Sequence, residues 1–255
     1  MRENYRPKGN LSSMPPKNLR IVVTPIRVTT LLCGMFLALL TAHGMGLLLT
    51  YGLGHDYVKG LVPLFNIGLE GNVPTFFASL LLFFNGLLFL FLWRVSDTRD
   101  TGKKTWLLLS VVFLFLSLDE FAAIHELLIK PLREAVDTGG LLYFAWVIPY
   151  ALLVILLGII IAPTLWRLGT RYRVLFGTSA AIFLTGAIGI EMLGGNYFES
   201  QGGEADLTYR LFQTAEESLE FLGLIFLVYT LLDLVRAPRT QINIEVNAAK
   251  SRPSP

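Results

Sequence analysis

The stretch Ser117–Glu126 reads SLDEFAAIHE, and it directly follows the apolar run WLLLSVVFLFL, which begins at Trp106. Its ionisable side chains therefore stand where the preceding residues predict the interior of a membrane. An ionised carboxylate at the centre of a bilayer costs about 2.5–3.5 kcal/mol even on the mildest scale, so such residues usually mark a functional site. The stretch has four ionisable residues: Asp119, Glu120, His125 and Glu126.

The composition of the chain agrees with a membrane protein. Hydrophobic residues make up 53% of the 255 residues and charged residues only 16%, and the mean hydropathy is +0.58. An ordinary soluble domain is less apolar than this. The single cysteine, Cys33, lies inside an apolar run, which excludes an internal disulfide and a cluster of thiol metal ligands.

Six segments reach the roughly 20 apolar residues that a transmembrane helix needs. We therefore predict an all-α fold, a polytopic bundle of six transmembrane helices over residues 28–235. Residues 1–27 are predicted to form a cytoplasmic tail, and residues 236–255 a disordered cytoplasmic tail. The six predicted spans are Val28–Tyr51, Pro74–Trp93, Thr105–Leu127, Leu142–Leu165, Tyr172–Leu193 and Leu207–Leu234.

Lysine and arginine are unevenly distributed between the two sides of this bundle. The two tails and the even-numbered loops hold 17 of them, whereas the odd-numbered loops hold three. Because Lys and Arg are enriched in cytoplasmic loops, both termini are predicted to be cytoplasmic. The acidic stretch then lies in the outer leaflet. The three residues on the outer side are Lys59, Lys130 and Arg133.

The third and sixth spans each carry a polar face at this depth. At 100° per residue, five polar residues of the sixth span fall within an arc of about 100°. On the third span, Asp119 and Glu126 are seven residues apart and are predicted to share a face. We therefore expect the third, fifth and sixth spans to be neighbours around one cavity. The polar residues of the sixth span are Tyr209, Gln213, Glu216, Glu217 and Glu220.

The residue types of this cavity suggest acid–base chemistry or metal binding. Carboxylates and imidazole are ligands for divalent metals, and iron, manganese or zinc are the ions considered. Buried, crowded carboxyl groups also suit proton transfer. We assign Glu120 and Glu217 as candidate catalytic residues. The candidate metal ligands are Asp119, His125, Glu126, Glu216 and Glu220. The candidate supporting residues are Glu191, Tyr209, Arg210 and Gln213.

Several familiar sites are missing from the sequence. It contains no Walker loop, dinucleotide fingerprint, GxSxG or HExxH motif. Glu120 and His125 are five residues apart, which departs from the Glu-x-x-His spacing of a di-iron bundle. No feature indicates a nucleic-acid partner. The expected partners are membrane lipids and a small-molecule or lipid substrate.

Four stretches resemble an uncharacterised family of bacterial multi-pass membrane proteins. They are GLEGNVPT from Gly68, SLDEFAAIHE, FAWVIPY from Phe144 and EESLE from Glu216. The resemblance covers the second to the sixth spans and implies a location in the bacterial inner membrane. It implies no activity and no residue role.

Two kinds of function are consistent with these residues. The first is a metal-dependent membrane enzyme that acts on a lipid or lipid-linked substrate from the outer leaflet. The second is a proton- or cation-coupled transporter in which the glutamates of the sixth span exchange protons or bind the ion. Against transport, the sequence shows no internal repeat, and its polar residues stop at mid-membrane. A membrane sensor or assembly partner is a further alternative.

Overall fold

The computed structural model describes residues 24–96 and 102–236. All regular structure in these two ranges is helical. Most of the predicted N-terminal tail (1–27) and nearly all of the predicted C-terminal tail (236–255) lie outside the described residues. The loop segment 97–101 lies outside them as well.

Eight α-helices occur in the described residues, if α1 is counted with the π-turn at its end and α7 through its internal π-turn. Six of the eight are long and apolar enough to cross a membrane, which confirms the predicted all-helical fold with six candidate spans. The helices are α1 (Pro25–Gly52), α2 (Leu61–Leu64), α3 (Val73–Val95), α4 (Lys103–Ala122), α5 (Ile129–Val136), α6 (Val147–Arg167), α7 (Thr170–Ser200) and α8 (Leu207–Arg236).

Local sequence signals account for where several of these helices begin. The side chain of Asn72 accepts a hydrogen bond from the backbone N–H of Thr75 at 3.1 Å, and Pro74 follows it in the first turn of α3. Asn at the N-cap and Pro in the first turn are favoured because the first amides of a helix have no partner within the helix. Pro25 occupies the same place at the start of α1.

Two antiparallel helix pairs hold the bundle together. In the α3–α4 pair, each of Ser79 and Ser117 donates its hydroxyl to the backbone carbonyl of the other, at 2.8 and 2.9 Å. In the α7–α8 pair, the hydroxyl of Ser179 donates to the carbonyl of Gly223 at 2.8 Å. Small residues allow such close backbone approach, which is how helices associate in a medium as apolar as their side chains.

Helix α8 lies at the centre of the bundle. It packs against α1, α3 and α7, and its candidate span is among the most buried, together with that of α3. Helix α6 lies at the edge, where it contacts α4 and α7, and most of its surface is exposed. This arrangement corrects one expectation, because α4 and α8 are not close neighbours: α3 packs against both of them.

The bundle has two chemically different ends. Side-chain contacts pair the start of α4 with the end of α6 (Thr105 to Thr164, 2.7 Å) and the end of α4 with the start of α6 (Asp119 to Tyr150, 2.8 Å). We call the end that holds Asp119 the site end and the opposite end the basic end. The described basic residues at the basic end include Arg94, Lys103, Arg167, Arg171 and Arg236.

The structure corrects three of the predicted span boundaries. The third span ends at Ala122 rather than Leu127, because Ala123 adopts a left-handed conformation with a φ of 51°. The fourth span begins at Val147 rather than Leu142, and the fifth continues to Ser200. Asp119 and Glu126 therefore do not share one helical face, as the uninterrupted helix had predicted.

Candidate functional site

The turn that follows α4 places His125. The backbone N–H groups of Ala123 and Ile124 both donate to the carbonyl of Asp119, which closes the helix. The carboxylate of the same residue accepts the backbone N–H of His125 at 2.8 Å. Asp119 is 4% exposed. Its carbonyl and its carboxylate together hold the turn that places His125 beside the cavity.

His125 lies between two carboxylates. Its Nδ1 is 3.5 Å from Oδ1 of Asp119, and its Nε2 is 3.6 Å from Oε1 of Glu70. The second oxygen of Asp119 accepts a hydrogen bond from the hydroxyl of Tyr150 at 2.8 Å. Both nitrogens of the ring thus face acceptors, an arrangement that suits the protonated imidazolium, in which both are donors.

The pKa values of the two groups outside the spans reflect this pairing. Burial disfavours the imidazolium, but the hydrogen bond to Asp119 and the charge of that residue outweigh it and raise the pKa of His125 above its ordinary value. Burial and the charge of Glu126 raise the pKa of Glu70 to about 7, although the charge of His125 opposes the shift. Near neutral pH, this pair can therefore both hold and release a proton.

A second polar group sits across the cavity on α7. The indole N–H of Trp146 donates to the carboxyl of Glu191 at 3.0 Å, and the carboxyl groups of Glu191 and Glu216 lie within hydrogen-bonding reach of each other. Glu191 directly follows the π-turn Thr185–Ile190. Such turns are frequent at functional sites because the extra residue shifts the helix register and re-aims the side chains that follow.

Gln213 of α8 connects the site to the loop before α3. Its Nε2 donates to the carbonyl of Gly68 at 3.0 Å, and its Oε1 accepts from the guanidinium of Arg210 at 2.8 Å. A Cβ atom at Gly68 would lie 2.7 Å from that Oε1, so only glycine fits there. This contact explains the first glycine of the GLEGN stretch.

These groups enclose a polar cavity of about 100 Å³ at the site end. It has room for about three waters at roughly 30 Å³ each, or for one small polar group of a substrate. The ring of His125 contacts Trp146 edge-on, with centroids 4.9 Å apart, and forms part of the wall. The residues that line the cavity are Gly68, Leu69, Glu70, His125, Glu126, Ile129, Phe144, Trp146, Glu191, Tyr209, Gln213, Glu216 and Glu217.

The structure therefore brings together most of the predicted site residues. Seven of them line this cavity, and three more lie beside it. Asp119 lies behind His125. Glu120 and Glu220 interact electrostatically with each other, and Glu120 also with Glu217. Arg210 lines a neighbouring cavity instead. The seven are His125, Glu126, Glu191, Tyr209, Gln213, Glu216 and Glu217.

Three residues of the site were not among the predicted site residues. Glu70 stands in a loop before a helix, a place where an acid usually contacts solvent. Trp146 and Tyr150 lie near the start of the fourth predicted span, where aromatic residues more often belong to the interfacial belt than to a site. Their position was the one signal in the sequence. Glu70 precedes the second span, and Trp146 and Tyr150 lie at the start of the fourth, so all three are at the depth of the acidic stretch.

The predicted metal site is not supported by the arrangement of these side chains. Within residues 24–96 and 102–236, no group of three or more His, Cys, Asp or Glu side chains is placed to hold a metal ion. Both oxygens of Asp119 accept hydrogen bonds from protein donors, and both nitrogens of His125 face carboxylates. A metal would have to displace these contacts to reach either residue.

Comparison with known sequences places the chain in a family. The family model Domain of unknown function DUF8692 matches residues 31–234, which include all six candidate spans apart from their outermost residues. The chain belongs to this family. Neither a curated protein nor a solved structure gives a significant match. The resemblance to a family without an assigned activity is thus confirmed, whereas the bacterial origin stays an expectation.

Proposed function

We propose that this DUF8692 protein is a membrane-embedded enzyme that uses buried acids and His125 for general acid–base chemistry on a lipid or lipid-linked substrate. The observation that carries the proposal is the convergence of Glu70, His125 and the glutamates of α7 and α8 on one polar cavity. Ionisable groups are costly at this depth, and they are retained where they serve a site.

The geometry suggests a division of roles. Glu217 lines the cavity and is proposed to exchange a proton with the substrate, while Glu120, which interacts with it electrostatically, acts as its proton partner. Asp119 orients His125 through a hydrogen bond to its backbone N–H. A base that takes the proton of an attacking hydroxyl and an acid that protonates the leaving oxygen would together support transfer or hydrolysis of an ester.

The substrate is proposed to enter from the site end, within the outer leaflet of a bacterial inner membrane. The basic residues that cluster at the opposite end support this orientation, because such residues favour the cytoplasmic side. At the site end, the short helix α5 is exposed and strongly amphipathic, so its apolar side suits the membrane surface.

Coupled transport has less support than catalysis. Between the cavity and the basic end lies a cluster that includes Phe36, Phe77 and Phe221, followed by a second cluster around Phe89 and Trp106. An alternating-access protein needs a path to the second side of the membrane. Among the described residues, these two apolar clusters close that half of the bundle.

Lipid analysis of cells tests the catalytic proposal. Lipid extracts from a strain that lacks the gene should accumulate one lipid species and lose another, as measured by mass spectrometry. The wild-type gene should restore the profile, and Glu217→Gln should not, because Gln keeps the shape but cannot exchange a proton. Glu134→Gln is the matched control, since this exposed acid lies at the same end outside the cavity.

Glu217→Leu separates a site from a scaffold. Replacing a costly buried acid by an apolar residue often stabilises a protein, by about 1–4 kcal/mol for a buried ion pair. We expect Glu217→Leu to melt no earlier than the wild type and to be inactive in the lipid assay. Full activity of both Glu217 variants, or identical lipid profiles with and without the gene, would refute the proposal.

Metal dependence, which the arrangement of the side chains does not support, is an alternative to the proposed acid–base chemistry and has its own test. Elemental analysis of protein purified in mild detergent measures iron, manganese and zinc directly. One or two equivalents that are lost in Glu216→Ala or His125→Ala would support a metal-dependent enzyme. Metal-free protein with an intact lipid activity would leave the acid–base chemistry to the side chains alone.

A further inference from the structure

A second cavity of about 170 Å³ lies beside the first one, between the end of α1, the loop that precedes α3, and the first turn of α8. Leu69 lines both cavities. Helix α1 lies at the edge of the bundle and buries little of its surface, so this cavity is close to the lipid. Its lining residues are His43, Gly46, Leu47, Thr50, Tyr51, Asp56, Val62, Pro63, Asn66, Leu69 and Arg210.

Arg210 supplies a positive charge to this cavity. It forms no ion pair among the described residues, and its guanidinium donates to the neutral Oε1 of Gln213 at 2.8 Å. A guanidinium has five N–H donors in a fork that matches the oxygens of a phosphate.

Asp56 supplies a negative charge to the same cavity. It is exposed and forms no ion pair with Arg210 or with another described cation. The two opposite charges therefore stand in one cavity without neutralising each other directly. A ligand that carries both a negative and a positive group would pair with each of them.

A chain of hydrogen bonds runs between the two cavities. His43 is 3% exposed; its Nδ1 accepts the backbone N–H of Ile67 at 3.2 Å, and its Nε2 lies 2.8 Å from the hydroxyl of Thr214. That hydroxyl donates to the carbonyl of Arg210 at 2.6 Å. This chain of hydrogen bonds joins α1, the loop and α8, and it fixes the backbone from which Arg210 projects.

We propose that the second cavity binds the headgroup of a zwitterionic aminophospholipid. The phosphate pairs with Arg210 and the primary ammonium group with Asp56, and the acyl chains lie along the exposed surface of α1. The inference deepens the proposed function, because the bound headgroup lies next to the cavity that holds Glu217 and His125. The binding itself does not depend on catalysis.

Native mass spectrometry of the purified full-length protein in detergent tests the proposal. Phosphatidylethanolamine should be retained about two- to fivefold better than phosphatidylglycerol, which has a phosphate but no ammonium group, because an ion pair with an exposed carboxylate adds only modest affinity. Phosphatidylcholine should be retained less well than phosphatidylethanolamine, because its quaternary ammonium has no N–H to donate. Free phosphoethanolamine tests a soluble source of the same chemistry, and equal binding of it would overturn the assignment to a lipid.

Two variants separate the two halves of the headgroup. Arg210→Gln should weaken the retention of both phosphatidylethanolamine and phosphatidylglycerol, whereas Arg210→Lys should keep part of it. Asp56→Asn should remove only the preference for phosphatidylethanolamine over phosphatidylglycerol. The matched controls are Arg133→Gln and Asp137→Asn, which lie at the same end outside the cavity and should change neither quantity.

The outcomes also distinguish this inference from the proposed function. If Glu217→Gln retains phosphatidylethanolamine but fails in the lipid assay, both proposals hold. If the wild-type protein binds the lipid but cells show no lipid conversion, the catalytic proposal falls and the binding site stands. Equal retention of phosphatidylethanolamine and phosphatidylglycerol, or unchanged retention in Arg210→Gln with a normal melting temperature, would overturn the headgroup site.

Discussion

In the half of the bundle next to the basic end (the basic half), Phe89 is 1% exposed and stacks with Trp106 and Phe176, with ring centroids 6.1 and 6.5 Å away. In the half next to the site end (the site half), by contrast, α4 ends shortly after Asp119 and Glu120, α7 contains a π-turn, and carboxyl groups line a cavity. The basic half shows how this chain builds a stable bundle. The site half departs from regular structure at the places where its ionisable groups are positioned, and proteins tolerate such departures mainly at functional sites.

The largest effect that this comparison predicts is loss of stability when the aromatic cluster is opened. Phe→Ala in a buried core costs roughly 3–5 kcal/mol, and lipid as apolar as the side chain favours the lower end of that range. Phe89→Ala should therefore lower the melting temperature in detergent more than Phe121→Ala, whose side chain is 61% exposed at the site end. Equal effects of the two changes would show that the cluster does not hold the bundle together.

A smaller loss is expected where α7 and α8 touch. A Cβ atom at Gly223 would lie 2.7 Å from the backbone nitrogen of Phe183, which cannot move aside as a flexible side chain can. Overpacking of this kind costs about 1–3 kcal/mol, so Gly223→Ala should lower the melting temperature. The matched control is Gly158→Ala on α6, where a Cβ would meet no atom within 4 Å. That change should stabilise the helix by about 0.5–1 kcal/mol.

The turn after α4 predicts a gain in stability within the site half. Ala123 has a φ of 51°, a left-handed conformation that costs an L-residue about 1–2 kcal/mol and costs glycine little. Ala123→Gly should therefore raise the melting temperature, although the greater freedom of glycine in the unfolded chain reduces the gain. Ala122→Gly, at the last residue of α4, relieves no left-handed conformation and should lower the melting temperature slightly. Destabilisation by both changes would mean that the turn is not strained.

The spans were predictable because each transmembrane helix must satisfy its backbone hydrogen bonds within itself. Composition alone therefore identifies α3 or α6. The end of α4 was not predictable, since Ala123 provides no glycine or proline signal and the turn depends on contacts of Asp119. The positions of the ionisable residues also do not predict which helices are neighbours. Helix α3 has few ionisable residues, yet it lies between the acidic helices α4 and α8.

The candidate site was predictable in its residue types and depth but not in its partners. Crowded acids in apolar segments indicate a common cavity, and the structure places seven of the predicted residues around one. Glu70 and Tyr150 reach the same network from a loop and from the edge helix α6. Their contributions depend on tertiary packing, and no local spacing rule contains that information.

The smallest expected effect is a change in how the stability of the site half depends on pH. Glu70 ionises with a pKa of about 7 in the folded protein, against 4.5 for the free side chain, so the folded protein binds the extra proton between these values. The unfolded state binds fewer protons there, so stability should fall as the pH rises from about 4.5 to about 7. His125 adds a second loss at higher pH, because its pKa is raised and its favourable imidazolium form is lost above the ordinary value.

Melting temperatures of the wild type and Glu70→Gln from pH 4.5 to 7 measure the contribution of Glu70 as the difference between the two curves. Glu134→Gln is the control for removing an exposed acid at the same end. A wild-type curve that runs parallel to that of Glu70→Gln from pH 4.5 to 7 would show that Glu70 holds no extra proton in the folded protein.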